Sequence, residues 1–436
     1  MSQAQKTQKE ILEKLGIKEL NEMQKVAKSA IHANDEVVLL SPTGTGKTLA
    51  FLLPIIAELD PNNNEVQALI IAPSRELAIQ IEQVTKEIGS GYKCNVFYGG
   101  RNFSKDKSEL MTRPAILVGT PGRIADHLRR RTFDNQSIKT IVLDEFDKSL
   151  EIGFEDDMTE IIANLSSLKK KILTSATKGV DIPYFVRIKT PTTIDFLEEG
   201  IKTLEIKRVI SPHKDKLDIL VDTLCHLGPK SGIIFCNFKE SINRVSEQLD
   251  KVGIHHGIFY GGMEQKDRER SLIKFRNGTY RLLLATDLAA RGIDVPDLDF
   301  IIHYHLPLKS TEFTHRNGRT ARMHSNGTAY IIQWVQEELP EFIGAPEIQE
   351  ITEAHNPKPS GWTTLFISGG RKDKISKGDI AGLFFKQGAL EKEELGLIEI
   401  KTDCAFVAVI TSKAESIVKS LNNSKLKKKK IRIYEI

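Results

Sequence analysis

The strongest constraint on the fold is a Gly-rich segment, residues 41–48 with the sequence SPTGTGKT, between two apolar segments. Residues 36–40 before it are typical of a buried strand, and residues 49–53 after it are typical of an apolar helix. A strand, a Gly-rich turn and a helix in this order form a phosphate-binding loop, because backbone N–H groups and the helix N-terminus face the anion. Lys47 then reaches the outer phosphates, and the Thr48 hydroxyl coordinates Mg²⁺. The other residues predicted to contact the nucleotide here are Ser41, Thr43, Gly44, Thr45 and Gly46.

A second segment, residues 144–147 with the sequence DEFD, supplies acidic groups at the end of the apolar run 140–143. A carboxylate at the end of a buried strand can hold Mg²⁺ through water, which is the role predicted for Asp144. Glu145 is placed to take a proton from an attacking water. Each feature alone has an ordinary explanation, a strand-to-helix turn or a surface charge. Together they predict binding and hydrolysis of a nucleoside triphosphate, with ATP and Mg²⁺ as cofactors.

Length and composition exclude several classes of protein. The 436 residues exceed one typical domain, and a hydrophobic fraction of 40% is ordinary for globular proteins. No apolar run approaches the roughly 18–20 residues that span a bilayer, and the first residues lack the apolar core of a signal peptide. The four cysteines are scattered without C-x-x-C spacing, which argues against a zinc site or a disulfide framework. We therefore expect a cytoplasmic protein with no membrane partner, and the sequence implies no oligomer.

Positive charge is concentrated at the C-terminal end of the chain. Residues 356–436 contain 16 lysines and arginines against 9 acidic residues, a net charge of +7, whereas the whole chain has +4. A basic end on a near-neutral body predicts a polyanionic partner.

Short apolar runs alternate with helical patterns, which predicts parallel α/β sheets. The runs are 37–40, 67–72, 115–118, 140–143 and 171–174, then 232–236, 281–285, 298–302 and 328–332. The polar stretch 198–216 reads as the joint between two α/β domains, and a Pro-containing break near 350–361 precedes a small α+β module whose last strand is predicted at 429–434. The predicted domains are residues 1–200 and 201–350, then a linker 351–361 and the module 362–436.

The string HRNGRTAR, residues 315–322, supplies guanidinium groups in the second domain. Arg319 and Arg322 are three apart, so on a helix they share a face. Guanidinium groups aimed at a γ-phosphate stabilise the charge that develops during transfer, and the alternative interpretation is a basic surface helix. The strand end and Gly-containing turn at 285–294 favour ligand contact. A phosphate-binding loop in one domain and arginines in the other predict a composite site.

With these motifs in this order, about residues 10–345 resemble the DEAD-box ATP-dependent RNA helicases, which have two RecA-like domains. The resemblance implies that Gln24 reads adenine and that Asp294 contacts the nucleotide. It also implies that Ser175 and Thr177 couple hydrolysis to strand separation. The RNA contacts that it implies are Pro73, Arg75, Gly100, Thr120, Gly122 and Arg123 in the first domain, and Asn237, Gly262, Gln265, Arg268 and Thr286 in the second. Such contacts bind the sugar-phosphate backbone, so we expect RNA binding that is independent of base sequence and weakened by salt. The resemblance also implies that few base pairs are opened per ATP.

Three positions depart from the pattern of this family. Ser41 stands where a small Gly or Ala is usual, Phe146 stands where Ala is usual, and Ile17 stands where an aromatic ring often stacks on adenine. Because the predicted metal and base positions are intact, we expect the chemistry to be retained. The missing aromatic ring predicts a weaker affinity for ATP or a weaker selectivity for adenine.

Two other functions remain open from the sequence. Tandem domains of this kind also serve DNA translocases, and an ATP-gated RNA clamp would need no hydrolysis. The residues that argue against the clamp are Lys47, Glu145, Arg319 and Arg322.

Residues 362–436 resemble the RNA-binding domain of the DbpA type, which has an RRM-like fold; the carriers are LFISGGRKDK at 365–374 and DCAFVAV at 403–409. Arg371, Lys372 and Lys374 are predicted to contact RNA. Phe366 and Phe406 match the stacking aromatics of the RRM signature only loosely, and we interpret them as core residues. The resemblance implies structured ribosomal RNA of the large subunit, of the 23S type, as partner, and a role in ribosome assembly.

Overall fold

The protein is described by a computed structural model, which covers residues 6–151, 153–178, 181–198, 204–290, 295, 298–320 and 327–436. Two predicted site residues, Asp294 and Arg322, lie outside these ranges. The chain forms two compact units, one made of the described residues up to 198 and the other of those from 204 onward. Among the described residues, no helix combines the length and the apolar character needed to cross a bilayer.

The first unit is built on a parallel sheet. Within the described residues its strands are β1 (Glu36–Leu40), β2 (Ala68–Ile71), β3 (Cys94–Phe97), β4 (Ile116–Gly119), β5 (Thr140–Leu143), β6 (Lys170–Ser175) and β7 (Thr192–Asp195). Their spatial order is β3-β4-β2-β5-β6-β1-β7. Strands β2 to β5 are buried at every residue, as expected for a parallel sheet that helices cover on both faces.

Helices form a layer on each face of this sheet. They are α1 (Gln8–Leu15), α2 (Glu22–Ala33), α3 (Lys47–Glu58), α4 (Arg75–Ile88), α5 (Phe103–Leu110), α6 (Pro121–Arg129), α7 (Phe146–Glu151) and α8 (Glu155–Asn164). Successive side chains of β2 point to opposite faces, so Ala68 and Ile70 pack with α1 to α4, whereas Leu69 and Ile71 pack with α6 and α8. Ile17 is partly buried and packs against the first of these two cores.

The second unit begins with another parallel sheet. Its described strands are β8 (Leu204–Ser211), β9 (Gly232–Phe235), β10 (Gly257–Phe259), β11 (Leu282–Ala285), β12 (Phe300–His303), β13 (Gly327–Trp334) and β14 (Glu347–Ile348), in the order β10-β11-β9-β12-β13-β8-β14. Its helices are α9 (Leu217–Leu227), α10 (Lys239–Lys251), α11 (Gln265–Arg276), α12 (Asp287–Ala290) and α13 (Ser310–Asn317). The polar stretch 198–216, interpreted as a joint, contains β8. This strand lies near the sheet edge and is buried only at Val209 and Ser211, so it lacks an apolar run.

The C-terminal module is an antiparallel sheet with two helices on one face. Its elements are β15 (Trp362–Ile367), α14 (Lys377–Lys386), β16 (Leu395–Ile400), β17 (Ala405–Ile410), α15 (Thr411–Leu421), β18 (Lys425–Leu426), β19 (Lys429–Lys430) and β20 (Ile433–Glu435). The sheet has the order β16-β17-β15-β20, and β18 pairs with β19 as a separate hairpin. The predicted fold class, two parallel α/β sheets in tandem and a small α+β module, is confirmed.

Two details of the module differ from the sequence interpretation. The single last strand predicted at 429–434 is wrong, because its two ends pair with different strands. β19 pairs with β18 across a turn at Lys427, which has a φ of 54°, whereas β20 begins at Ile433 and pairs with β15. Phe366 and Phe406 are not in the core between the sheet and its helices, which Leu365 and Ile367 enter instead. Because strand side chains alternate, these two phenylalanines lie on the opposite face, where Phe406 is buried and Phe366 is half-buried.

That opposite face docks on the second parallel-sheet domain, within the same compact unit. Arg276, the last residue of α11, donates to both carboxylate oxygens of Glu399 in β16, at 3.1 and 2.8 Å. The hydroxyls of Thr279 and Thr364 lie 2.7 Å apart. Burial opposes ionisation of Glu399, but the charges of Arg276 and Lys401 outweigh it and hold its pKa below the usual value. The module is therefore fixed to this domain by a largely buried ion pair.

Glu399→Ala is expected to loosen this docking. Removing one partner of a largely buried ion pair costs about 3 kcal/mol, which raises the undocked fraction roughly 150-fold. Trp362 lies beside Gly278 at this contact, so its fluorescence in a Trp334→Phe background should become more accessible to acrylamide. Glu415→Ala, which removes a fully exposed pair with Lys419, is the matched control and should change nothing. Equal quenching in both variants would show that the pair does not hold the module.

Candidate nucleotide and RNA sites

The phosphate-binding loop leaves the C-terminal end of β1 and enters α3. Gly44 and Gly46 have φ angles of 81° and 86°, which residues with a side chain adopt only with strain. Thr45 Oγ1 lies 2.7 Å from Ser41 Oγ and donates to the Pro42 carbonyl oxygen at 2.9 Å. Ser41, the departure from the usual small residue, therefore stabilises the turn through its hydroxyl.

Lys47 is held at the loop by backbone carbonyl groups. Its Nζ donates to the carbonyl oxygens of Ser41 and Pro42 at 2.6 and 2.7 Å. Burial lowers the pKa of Lys47 to about 8, although the charges of Asp144 and Glu145 act in the opposite direction. A buried ammonium that stays protonated at neutral pH is suited to bind phosphate oxygens.

Residues at the start of α2 support the loop from one side. Asn21 Nδ2 donates to the Thr45 carbonyl oxygen at 3.1 Å, and Gln24 Nε2 donates to that of Gly46 at 3.3 Å. A Cβ at Gly46 would lie 2.4 Å from Gln24 Nε2, so any larger residue would both strain the backbone and displace the Gln24 amide. Sequence reasoning found Gln24 but missed Asn21, whose signal is the N-x-x-Q spacing of a capping box.

Asp144 directly follows β5 and is buried next to β6. One of its oxygens accepts a short hydrogen bond from the Thr174 hydroxyl, which itself accepts from the Glu145 N–H at 3.0 Å. Burial raises the pKa of Asp144 to about 6, and the neighbouring charge of Glu145 adds to the rise. Thr174 thus fixes both acids, and sequence reasoning missed it because it lies inside an apolar strand.

Glu145 and the residues after it form a buried charge cluster. Glu145 has a φ of 47°, and its Oε2 accepts from Lys148 Nζ at 2.8 Å. Lys148 is fully buried, which is rare for a lysine unless it is paired. Thr177 Oγ1 donates to Asp147 Oδ2 at 2.7 Å. Sequence reasoning missed Lys148, whose position gives no signal beyond its i, i+3 spacing from the acid.

The segment predicted to couple hydrolysis to strand separation lies between the loop and the acids. The Ser175 carbonyl oxygen accepts from the Ser41 N–H at 3.0 Å. Ser175 Oγ accepts from the Thr177 N–H at 3.0 Å, and Thr177 reaches Asp147. A shift of either the loop or the acidic segment would therefore move residues 175–177.

The donor set around the loop fits Mg²⁺. The Thr48 hydroxyl and the Asp144 carboxylate are hard oxygen donors of the kind that Mg²⁺ prefers. Within the electrostatic neighbourhood of Lys47, the acids Asp144, Glu145 and Asp147 outnumber the ammonium groups of Lys47 and Lys148. A divalent cation would offset this excess of negative charge.

The predicted RNA contacts of the first unit lie along the same sheet edge, beyond the nucleotide loop. Pro73 and Arg75 follow β2, Gly100 follows β3, and Thr120 and Gly122 follow β4. These strands are neighbours in the order β3-β4-β2, so their C-terminal ends form a continuous row. A Cβ at Gly100 would lie 3.0 Å from Arg75 Nη1, which shows that the guanidinium group rests against this loop.

Arg123, also predicted to contact RNA, is anchored within the protein. Its Nε and Nη2 donate to Asp106 Oδ2 at 2.9 and 2.6 Å, and its guanidinium lies 4.8 Å above the Phe103 ring. Asp106 is fully buried and also pairs with Arg101 and His127. Asp106 therefore holds the Arg123 guanidinium at the start of α6, and sequence reasoning missed Asp106.

The arginines of the 315–322 string occupy different environments. Arg316 is fully buried and donates to both oxygens of Asp287, at 2.7 and 2.5 Å. It also donates to the His305 carbonyl oxygen at 2.7 Å and to Asn237 Oδ1 at 2.8 Å. The network ties together the loops after β9, β11 and β12.

The expectation that Arg319 and Arg322 share a helix face is wrong for the part that the structure describes. Helix α13 ends at Asn317 with Gly318 as its C-cap, so Arg319 lies beyond the helix. Thr320 then forms a parallel bridge with Leu298, and its hydroxyl donates to the Leu298 carbonyl oxygen at 2.5 Å. The chain therefore leaves the helical path before Arg322, which lies outside the described residues.

The predicted RNA contacts of the second unit also share one sheet edge. Gly262, Gln265 and Arg268 follow β10, Thr286 follows β11, and Asn237 follows β9. The order β10-β11-β9 makes this a continuous row of loops. The Asn237 amide is already engaged, because its Nδ2 donates to the Leu306 carbonyl oxygen at 3.1 Å and its Oδ1 accepts from Arg316.

The predicted RNA contacts of the module lie in one positively charged region, here named the basic edge: Arg371, Lys372, Lys374 and the hairpin 425–430. Lys429 Nζ lies 2.7 Å from Asp373, and Lys427 Nζ donates to the Lys374 carbonyl oxygen at 2.5 Å, so the hairpin is tied to the turn. Lys372, Lys374 and Lys428 are exposed and make no ion pair within the described residues. Unneutralised ammonium groups on a fixed surface suit a phosphate backbone.

The stability of the second unit is expected to fall at acidic pH because of His303. Burial lowers its pKa to about 3, and the adjacent Arg316 charge contributes, against a hydrogen bond to Asn317. The unfolded chain takes up a proton below a pKa of about 6.5 and the folded chain does not, so stability is complete above that pH and is lost as the pH falls toward 3. Between pH 7 and pH 5 the loss is about 2 kcal/mol.

Hydrogen exchange of the β12 amides, corrected for intrinsic rates, measures this loss. His303→Gln removes one of two such titrations, because burial also lowers the pKa of the neighbouring His305, to about 4. The variant should therefore lose about half of the pH dependence, whatever its effect on absolute stability. A variant with the same slope as the wild-type protein would contradict the assignment to His303.

Comparisons with known proteins identify the family of the chain. The family models described as DEAD/DEAH box helicase, helicase conserved C-terminal domain and DbpA RNA binding domain match residues 21–182, 215–324 and 364–435. The ATP-dependent RNA helicase DbpA of Bacillus subtilis is 31% identical over 458 residues, covering 97% of this chain and 96% of the relative. The protein of that name from Escherichia coli is 30% identical over 436 residues, covering 97% and 95%.

Solved structures of helicases have a similar fold. Saccharomyces cerevisiae Dbp5, bound to RNA and ADP BeF3, matches with a TM-score of 0.68 at 25% identity, covering 78% of this chain and 92% of Dbp5. The helicase Mss116, bound to ssRNA and UDP-BeF, also has a TM-score of 0.68 at 25% identity, covering 79% and 77%. The phosphate-binding loop, the two parallel sheets and these matches define a DEAD-box ATP-dependent RNA helicase. Because the similarity extends over almost the whole chain and includes the module, the chain belongs to the DbpA family of these enzymes.

Proposed function

We propose that this helicase hydrolyses ATP at the edge of the first sheet when RNA is bound, and that its module directs it to structured RNA of the large ribosomal subunit. The observation that carries the hydrolytic part is the convergence of Lys47, Asp144 and Glu145 in one buried charge cluster. The proposed domains are residues 1–200, 201–350 and 362–436, with a linker at 351–361. The site of action is the cytoplasm, during ribosome assembly.

In this proposal Lys47 neutralises the outer phosphates, and Glu145 accepts the proton of the attacking water. Mg²⁺, when bound, offsets the charge that develops on the phosphate oxygens, and Thr48 and Asp144 hold it, the latter through water. Gln24 contacts adenine, while the remaining loop residues and Asp294 complete nucleotide binding. Arg319 and Arg322 stabilise the transferred phosphate, and Ser175 and Thr177 carry the result to bound RNA.

The proposed RNA path uses backbone contacts in both helicase domains. Donors from backbone N–H, hydroxyl and guanidinium groups reach phosphates and sugars, which explains binding without sequence preference. The 2′-hydroxyl distinguishes RNA from DNA at such a path. Selection of a particular RNA then falls to the module, and the basic edge supports a contact with a folded RNA whose phosphates are closely spaced.

The choice of target is tested by crosslinking the full-length protein to cellular RNA. The triple substitution of Lys372, Lys374 and Lys428 by Gln removes three charges from the basic edge. The matched control replaces three other lysines by Gln. These are exposed on the same module outside that edge: Lys386, Lys392 and Lys419. We expect the wild-type protein and the control to be enriched on large-subunit ribosomal RNA and the triple variant to lose this enrichment. An unchanged profile in the triple variant would contradict targeting by the basic edge.

A further inference from the structure

The second unit exposes two large apolar side chains at the sheet edge that carries the predicted RNA contacts. Phe238 follows β9 and is 61% exposed, and Leu308 follows β12 and is 75% exposed. Strands β9 and β12 are neighbours, so the two loops lie side by side next to the loops after β11 and β10. Side chains exposed to this extent contribute little to the core and are available to a partner bound at this edge.

Phe238 is presented on a rigid loop. The Asn237 N–H donates to His305 Nδ1 at 3.2 Å, and the Asn237 side chain is bonded to Leu306 and Arg316. The rings of Phe238 and His305 are in T-shaped contact, with centroids 6.3 Å apart at 64°. The loop therefore sets the direction of the Phe238 side chain, and most of its surface is exposed.

The position and chemistry of this side chain suit a nucleobase. The proposed RNA contacts at this edge are hydroxyl, amide, guanidinium and glycine backbone groups, which bind phosphates and sugars. Among the described residues of the loops after β10, β11 and β9, Phe238 is the exposed aromatic side chain. A flat apolar ring beside a phosphate-binding row is the arrangement that holds a base by stacking, and it tolerates any sequence because every base has a π face.

We propose that Phe238 stacks on one base of the single RNA strand that the second helicase domain holds. The contact requires a base that is free on one face, which a base inside a duplex is not. Phe238 therefore favours the single strand over the paired one and adds to strand separation. This inference rests on the proposed RNA path, which it deepens by adding a base contact.

The test measures binding of the full-length protein to a short single-stranded RNA in the presence of a non-hydrolysable ATP analogue. Phe238→Ala should weaken binding about tenfold, because one stacked base contributes that much. Phe238→Trp should retain binding, since it keeps an aromatic face, whereas Phe238→Leu should behave as the alanine variant does. Val335→Ala is the matched control: Val335 is 60% exposed and follows β13 on the same edge, and its loss should have no effect.

A series of RNAs with one abasic site at successive positions identifies the base. An abasic site at one position should weaken binding by the wild-type protein about tenfold. The same abasic site should leave binding by Phe238→Ala unchanged, because this variant has already lost the stacking contact. Equal affinities of the wild-type protein and Phe238→Ala, or additive losses at every abasic position, would overturn the proposal. If the wild-type protein binds neither the intact RNA nor any abasic RNA, the proposed RNA path is wrong. This outcome differs from failure of the stacking contact alone, in which the wild-type protein and Phe238→Ala both bind the intact RNA with equal affinity.

Discussion

Glu145→Gln is expected to reduce RNA-stimulated ATP turnover by about 10²- to 10⁴-fold, the contribution of a positioned general base. The amide has the shape of the carboxylate and retains an oxygen for Lys148, so the buried cluster is kept while the basic group is lost. The backbone N–H of residue 145 still donates to Thr174. ATP and RNA affinities should therefore change by less than about twofold, a difference well below 1 kcal/mol.

The measurement is steady-state phosphate release at saturating ATP and RNA, with binding of both ligands measured separately. Glu155→Gln is the control, because Glu155 is exposed at the start of α8, away from the cluster. Turnover above a tenth of the wild-type rate would exclude Glu145 as the base. Wild-type turnover no higher than that of the variant would instead favour an RNA clamp that does not depend on hydrolysis.

Arg316→Ala is expected to destabilise the second unit by about 4 kcal/mol, the cost of removing one partner of a buried ion pair. Arg316 holds Asp287, the His305 carbonyl oxygen and Asn237 at once, so its loss releases three loops of the same sheet edge. Arg316→Lys should not restore stability, because an ammonium group cannot form the bidentate contact with Asp287. RNA-stimulated turnover should be lost with the order of these loops.

Hydrogen exchange of the β9 and β12 amides measures this loss without assuming that the whole chain unfolds in one step. Arg244→Ala is a matched control, because Arg244 also pairs with an aspartate, Asp215, but both side chains are at least half exposed. Its effect should stay below about 1 kcal/mol, as for other surface pairs. If these amides were as well protected from exchange in Arg316→Ala as in Arg244→Ala, the Arg316 network would not be what stabilises this edge.

The sequence predicted most of the parallel strands because strands buried on both faces are continuous apolar runs. The predicted runs did not include β3, β7, β8, β10 and β14; the half-exposed residues of β8, for example, do not form such a run. The prediction also joined β19 to β20 as one strand and did not find β18, because the turn at Lys427 contains no glycine. Phe366 and Phe406 were assigned to the core because apolar residues usually are. Which face of a strand docks on another domain depends on the partner surface, which lies far away along the chain.

At the sites, the residues of the phosphate-binding loop and the acids could be predicted because they are close together along the chain. The side chains that hold the site residues in place could not be predicted. Thr174, Lys148 and Asp106 act through contacts between segments that fold together, and two of the three are charged residues whose burial contradicts their usual exposure. Phe238 was missed for the same reason, since its exposure is a property of the folded edge.

We propose that ATP turnover depends on RNA that the module selects. The most direct test measures ATP turnover by the wild-type protein against the concentration of a folded large-subunit ribosomal RNA fragment and of a single-stranded RNA of the same length and composition. Each is compared with DNA of matched sequence at the same salt concentration. We predict half-maximal turnover at a concentration of the ribosomal fragment at least about tenfold lower than of the single strand, and no stimulation by DNA. Equal half-maximal concentrations for the two RNAs would contradict selection by the module, and equal stimulation by DNA would contradict the RNA path.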